Sequence, residues 1–284
     1  IDTDGLISDS KIIIKKEGMY QLNASFMTTT GAATQVIALI YVNGNERIQG
    51  SQGPTNQYSS TVSDVFELKV GDEVELYGYA SNKAVTVTAS SNKTFLSGHM
   101  VSSFTEGEVK EKEAVVFRAG LSADQTGLTH KVFTKVNLDD LVFSAGCELI
   151  DGRFKPNVAG WYQVNASVGQ NCIPVSLNTV CSIRKNNLTT EVWGNQCTST
   201  NSSQQSIANT IVYLDPKSKF TDKDGIEHEG DFLELHAYLE SSGTHAVHSS
   251  SFRTYLSAHL ITGQSSGGGT GGGEATGTPS SFAR

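Results

Sequence analysis

The first 146 residues contain no cysteine; all four, Cys147, Cys172, Cys181 and Cys197, fall in the second half. Spacings of 25, 9 and 16 residues fit no zinc ribbon or finger. Buried thiols, which act as small core hydrophobes, are expected in preference to a bridge from Cys172 to Cys181 or Cys197. No apolar run approaches the roughly 18 residues of a membrane span, so no membrane span is expected. The chain opens at Ile1 with neither a Met nor a basic-then-apolar leader, so a processed or upstream part is expected to precede it. Cations are scarce: 21 Lys and Arg face 29 Asp and Glu, a net charge of −8. That balance argues against nucleic acid, whose nonspecific affinity comes from basic residues releasing counterions. There is no Gly-x-Ser-x-Gly elbow, no His-Glu-x-x-His and no phosphate-cradling glycine loop. An enzyme is therefore not expected.

What the chain does contain, it contains twice. Gly18-Met19-Tyr20-Gln21-Leu22-Asn23-Ala24-Ser25 returns as Gly160-Trp161-Tyr162-Gln163-Val164-Asn165-Ala166-Ser167. Gly71-Asp72 returns as Gly230-Asp231, and Lys93 to Val101 returns as Arg253 to Ile261. The offsets are 142, 159 and 160, so the second copy carries about 17 extra residues. A period above 100 residues indicates tandem globular domains rather than a solenoid. The expected division is 1–103, a linker at 104–113, a second domain at 114–262 with an inserted loop around 215–229, and a tail at 263–284.

The local pattern is β throughout. Runs such as Tyr20 to Met27, Val36 to Val42, Ser63 to Leu68, Glu73 to Tyr79 and Val85 to Thr88 are short, β-branched or aromatic, and often alternating. Asn43-Gly44 and Gly71-Asp72 supply turns, since Gly and Asn accept positive φ. Lean charge (18%) with abundant Ser, Thr, Asn and Gly suits exposed strand faces. The fold class expected is all-β, two tandem sandwiches with a Gly-rich tail.

Five segments of the second copy occur in a recognisable order: Val116-Phe117-Arg118-Ala119, Lys131 to Val136, Gly152 to Tyr162, Gly230-Asp231 before an alternating strand, and Tyr255 to Leu260. This order resembles the globular head of the complement subcomponent q family, which shares its jelly roll with the tumour necrosis factor superfamily. The first copy has no counterpart of the Phe117 and Phe133 strands before Gly18, so its opening strands are divergent or lie upstream of Ile1. The resemblance implies two jelly rolls and a homotrimer. Carried over by position, it implies interface roles for Tyr20, Tyr79 and Phe95, and for Tyr162, Tyr238 and Tyr255, against the alternative that each is ordinary sandwich core. Two trimerising domains in series would make a stacked rod on one axis.

Other signals are weaker. Asp222, Asp224 and Glu227 partly resemble a calcium loop but fail its spacing, and a solvated acidic loop is the preferred reading; no other cofactor is expected. His245 and His248 lack a third ligand. Asn23, Asn92, Asn165, Asn187 and Asn201 open Asn-x-Ser/Thr triplets that this composition produces readily. The Gly-rich tail is a flexible linker unless a partner orders it, with Phe282 and Arg284 as the docking candidates. Together these features suit a non-enzymatic trimeric structural or recognition protein outside a bacteriophage virion: a capsid decoration protein, fibre or tail-tip module. Its partners would be itself, other virion proteins through the tail, and a host surface glycan or protein. The alternatives are a secreted or cell-surface ligand-binding protein and a carbohydrate-active enzyme on a β scaffold, for which Asp72 and Asp231 are the only repeated carboxylates.

Overall fold

The computed structural model describes residues 7–8, 10–28, 35–51, 59–81, 85–88, 93–103, 115–173, 178–194, 203–240 and 244–263. These form strands and turns with no helix among the described residues. The first half contains β1 (Ile7–Ser8), β2 (Lys11–Ile13), β3 (Gly18–Met27), β4 (Val36–Val42), β5 (Asn45–Gln49), β6 (Ser59–Leu68), β7 (Glu73–Ala80) and β8 (Phe95–Ser103). They make two sheets, ordered β1-β2-β7-β4-β5 and β6-β3-β8. Val85–Thr88 is not a strand; Val87 makes only an isolated bridge to Thr28.

The second half opens with four strands, β9 (Val116–Gly120), β10 (Gln125–Thr126), β11 (Thr134–Lys135) and β12 (Asp140–Ala145). It continues with β13 (Cys147–Ile150), β14 (Arg153–Pro156), β15 (Gly160–Ile173), β16 (Asn178–Lys185), β17 (Thr189–Trp193) and β18 (Ser203–Leu214). The last five are β19 (Lys219–Thr221), β20 (Glu227–Glu229), β21 (Leu233–Glu240), β22 (Thr244–Val247) and β23 (Tyr255–Gly263). One sheet runs β13-β14-β21-β16-β17, the order of β1-β2-β7-β4-β5, and the other contains β18-β15-β23, the order of β6-β3-β8. The antiparallel order and the crossovers between sheets are those of a jelly roll. In the second sandwich β23 also pairs with β9, and β9 with β12. No described strand lies on that side of β8.

Alternation explains both cores. Tyr20, Leu22, Ala24 and Phe26 point into the first, and Tyr162, Val164, Ala166 and Val168 into the second. The two cores fill equivalent positions by opposite choices of size. A Cβ at Gly98 would lie 2.6 Å from Leu22, and one at Gly78 would lie 2.2 Å from the Phe26 ring. The register equivalents are Ala258 with Val164 and Ala237 with Val168, larger facing smaller.

A turn clamp also repeats. Asn43 (φ 54°) donates to Asp72 at 2.8 Å and accepts from the Glu73 amide at 2.9 Å. Asn186 (φ 60°) does the same with Asp231 at 2.7 Å and the Phe232 amide at 2.9 Å. The Gly-Asp echo is thus half of a four-residue structural lock. The register offset is 146 at Leu68 and Leu214 and 159 at Gly71 and Gly230, so 13 of the extra residues fall between β18 and β21. They build the β19–β20 hairpin.

Candidate functional site

Residues on β3 and β15 that alternate away from their own cores face each other. Gln21 and Asn23 of the first sandwich meet Asn165 of the second, although an outward strand face is normally solvated. The Asn165 amide donates to Gln21 Oε1 at 3.0 Å, and Gln21 Nε2 donates to the Ser63 hydroxyl at 2.9 Å. That hydroxyl lies between Asn23 Oδ1 (2.7 Å) and Asn165 Oδ1 (2.9 Å). Gln21, Ser63 and Asn165 are buried. An unpaired carboxamide here would cost about 1–3 kcal/mol, and the seam avoids that cost with partners from both sides, Gln21, Asn23 and Ser63 of the first sandwich and Asn165 of the second. Beside it Met19 and Val65 pack on Val116 in a small apolar belt.

The anchor of the seam is Tyr255. It projects from β23 of the second sandwich, yet its ring belongs to the core cluster of the first, fully buried. Its hydroxyl donates to Ser63 O at 3.0 Å, and the Arg118 guanidinium stacks 5.0 Å above the ring. Arg118 Nε reaches Asp64 Oδ2 at 2.7 Å and its terminal nitrogen reaches Ser251 O at 2.7 Å; Asp64 is wholly buried and also accepts from the Val65 amide at 2.8 Å. An aromatic seated in a pocket beside a desolvated ion pair is the composition of an interface hot spot.

The contact is not reciprocal. The β6 edge of the first sandwich covers the β23 face of the second, but the equivalent surfaces stay open. Val65 is 0% exposed and its register equivalent Ile211 is 55% exposed. Ser257 and His259 are buried whereas Ser97 and His99 are exposed, and Phe95, the equivalent of Tyr255, is only half-buried. Both open surfaces line one cleft of about 590 Å³, with Phe95, His99 and Met100 on one wall and Gln163, Asn209 and His259 on the other. The His99 and His259 rings stand 6.0 Å apart, edge to face. Burial, with His99 beside it, pushes the His259 imidazole down to about 4, and its Nδ1 has no hydrogen-bond partner among the described residues. Among the described residues no carboxylate or thiol lines the cleft.

The six aromatic candidates separate into three groups. Tyr20 and Tyr162 are interior residues whose hydroxyls donate to Lys16 O (2.6 Å) and Val158 O (2.5 Å), so they have no surface to offer a neighbouring subunit. Tyr79 and Tyr238 sit at equivalent positions on the outer face of the other sheet, away from the seam; Tyr79 is exposed and Tyr238 packs on Phe133. Tyr255 and Phe95 are the pair that reach the seam and the cleft.

The acidic hairpin also has a structural explanation. Asp222 accepts from the amides of Asp224 and Ile226 and bonds His228 at 2.9 Å, which holds its carboxyl down at about 2. Its oxygens are therefore committed to the turn, Asp224 contacts Lys223 and Asn187, and Glu227 is exposed. No group of three metal-ligating side chains occurs among the described residues. Asp72 and Asp231 belong to the turn clamps. His245 bonds Leu128 O and His248 lies beside Asp124. Asn165 is too buried to carry a glycan. Cys147 is a buried thiol donating to Val116 O, and Cys181 is buried. Phe282 and Arg284, with Cys197, Asn92 and Asn201, lie outside the described residues.

The seam residues Gln21, Ser63, Asp64 and Arg118 have no place among the candidates drawn from sequence, and Asn23 and Asn165 appear there only as openers of Asn-x-Ser/Thr triplets. One signal pointed to them: the repeated motif retains its outward polar residues, Gln21/Gln163 and Asn23/Asn165, which core packing does not require.

No family model matches the chain, and no curated protein matches it. Among solved structures, murine APRIL at pH 5.0 is 12% identical, with a TM-score of 0.39 over 52% of this chain and 100% of that one. The globular domain of zebrafish complement 1qA is 13% identical, with a TM-score of 0.33 over 54% and 99%. The M60 catalytic domain with two CBM51 domains of Clostridium perfringens ZmpB is 10% identical, with a TM-score of 0.24 over 88% and 33%.

Proposed function

We propose that this chain is a non-enzymatic structural and recognition protein of the complement-q and tumour-necrosis-factor type, built from a duplicated jelly roll and carried on the outside of a bacteriophage virion. Its unit of assembly is three jelly rolls around one axis. The observation that carries the reading is the Tyr255 anchor: one sandwich docks its edge on the face of the next through a buried seam of hydrogen bonds and one ion pair. Such head-to-tail contacts generate rings where the rotation closes and open filaments where it does not. The stacked rod expected from sequence required each copy to keep its edge free for the same copy of another chain. Within the chain the β6 edge of the first copy covers the β23 face of the second, which supports placing the two copies side by side around the axis.

Binding chemistry supports the non-enzymatic part. The cleft offers amides, hydroxyls, imidazoles and apolar side chains, with no carboxylate among its described lining residues, and the repeated carboxylates are turn locks. The virion location rests on the tandem sandwiches, the lean Ser/Thr/Asn-rich surface and the Gly-rich tail, with Phe282 and Arg284 as its docking residues. Mass spectrometry of purified phage particles, before and after trypsin shaving of intact virions, tests it. The expected result is a chain present in the particle with peptides of 215–229 released by shaving. Absence from the particle would sink the virion assignment.

A further inference from the structure

We propose that the outer face of the β16–β21 pair binds a carboxylate group, held by Ser182, Arg184 and His236 and taken up together with one proton. The site lies on the sheet of the second sandwich that takes no part in the seam.

Strand register brings these residues together. Ser182 stands opposite His236 and Arg184 opposite Glu234; Cys181, Ile183, Leu235 and Ala237 fill the core, so the other four share the outward face. Ser182 and His236 are 0% and 5% exposed, yet Ser182 Oγ, His236 Nδ1 and Arg184 Nε are each buried without a hydrogen-bond partner. Buried polar atoms are ordinarily paired, and here three orphans occupy neighbouring positions of one face.

Charge points the same way. Arg153 and Lys135 both approach Glu234 Oε1, at 2.8 and 3.7 Å, and His236 Nε2 bonds Oε2 at 3.0 Å. Arg184 makes no ion pair with this engaged carboxylate; its guanidinium lies 5.0 Å above the Phe133 ring. Three cations thus gather around one carboxylate in a chain whose net charge is −8. A water molecule pairs orphaned atoms but brings no charge to offset the guanidinium.

The duplication supplies a control. Lys11 and Glu75, 3.8 Å apart, are the register equivalents of Arg153 and Glu234. At the positions of Ser182, Arg184 and His236 the first copy has Leu39, Tyr41 and Tyr77, with the two tyrosine rings packed at 4.3 Å. The same pair of strands is therefore built without the serine, arginine and histidine.

Their spacing suits two oxygens of one planar group. Positions i and i+2 of a strand lie about 6.8 Å apart and cross-strand partners about 5 Å apart, so Ser182 and His236 share one oxygen and Arg184 takes the other. Arg184, the least buried of the three, is the side chain that turns from Phe133 to admit the ligand. Against the upward push of burial, bonds from His236 and Arg153 hold Glu234 down at about 2, an acceptor only, so His236 Nε2 carries the hydrogen and Nδ1 a lone pair. Burial, with Arg184 of β16 and Lys135 of β11, pushes the imidazole down against the pull of Glu234; Arg153 of β14 and Asp151 act on it through Glu234 and Lys135. An anion at Nδ1 needs a hydrogen there, so binding draws in a proton.

Calorimetry of the full chain with sodium acetate tests this. At pH 6.0 the expected Kd is on the order of 1 mM, within the ceiling for so small a ligand. Affinity is complete below the lowered His236 value and should fall about tenfold between pH 6.5 and 7.5, with close to one proton taken up per acetate in that range, read from buffers of different ionisation enthalpy. His236→Gln should remove both the pH dependence and the proton uptake, and Arg184→Gln should weaken binding about tenfold. The triple variant Ser182→Leu, Arg184→Tyr and His236→Tyr, which installs the first copy's side chains, should fold and bind nothing. Galacturonate at least tenfold tighter than acetate, with galactose inert, assigns the carboxylate to an acidic sugar; equal affinity assigns it to a free organic acid. The proposal is overturned by the lack of saturable acetate binding at pH 6.0, by binding that Arg184→Gln leaves unchanged, or by sulfate binding as tightly as acetate.

Discussion

Arg118→Ala is the most searching test of the seam. If the sandwiches were independent, Arg118 and Asp64 would both face water, and an exposed pair contributes only about 0–1 kcal/mol. In the structure Asp64 is 0% and Arg118 7% exposed, with the carboxylate held at 2.7 Å. Removing the guanidinium strands a desolvated carboxylate and strips the stacking partner from Tyr255, so the loss should be about 3–5 kcal/mol. Replacing both charges, Arg118→Met with Asp64→Leu, should recover most of that loss, because the penalty comes from the unpaired charge rather than the missing bond. Urea unfolding separates the halves conveniently. Both tryptophans, Trp161 and Trp193, lie in the second half, so their fluorescence reports that sandwich while far-ultraviolet circular dichroism reports both. The parent chain should show coincident transitions, and Arg118→Ala should split them as the first sandwich loses its plug. A single unshifted transition in Arg118→Ala, or a double variant no better than the single, would refute the seam.

Other consequences are smaller and independent. His259 is neutral in the fold, and its lowered folded value means that the unfolded chain binds the extra proton. The stability it protects is complete above about pH 6.5 and falls as pH drops toward 4, by at most about 3 kcal/mol, a slope that His259→Leu should flatten in a pH series of melting temperatures. Gly78→Ala should cost roughly 1–3 kcal/mol through its clash with Phe26, and Phe26→Val should rescue it by recreating the Ala237 and Val168 pairing; additive losses would mean that the size exchange is not the cause. Asp222→Ala should speed amide exchange at Asp224 and Ile226 and leave the strands outside this hairpin unchanged, and calcium should not alter the melting temperature of the parent.

How much of this was legible in the sequence varied with the range of the interaction. The alternation of Tyr20, Leu22, Ala24 and Phe26 was readable because a strand's faces follow from a period of two, which neighbours impose on one another. The Gly-Asp echo was readable too, but its partner was not: Asn43 and Asn186 lie on a different turn, brought to Asp72 and Asp231 only by sheet pairing. Val85 to Thr88 had strand composition and found no sheet edge to pair with beyond one bridge. Two aromatics expected at an interface proved to be core because a strand face has no intrinsic inside; Tyr20 and Tyr162 differ from Tyr255 only in which body lies over them.

By itself the sequence determined that one all-β unit is written twice, with its core pattern, its turn glycines and its insertion, since these depend on residues close in the chain. It also contained, without explaining them, the outward Gln and Asn of the repeated motif. Only the tertiary structure decided that those polar faces meet, that Tyr255 fills the neighbouring core while Phe95 does not, and that Asp64 and Arg118, 54 residues apart, share one buried charge pair. Whether an outward residue is solvated or sealed depends on a second surface arriving over it, and no period along one strand encodes that arrival.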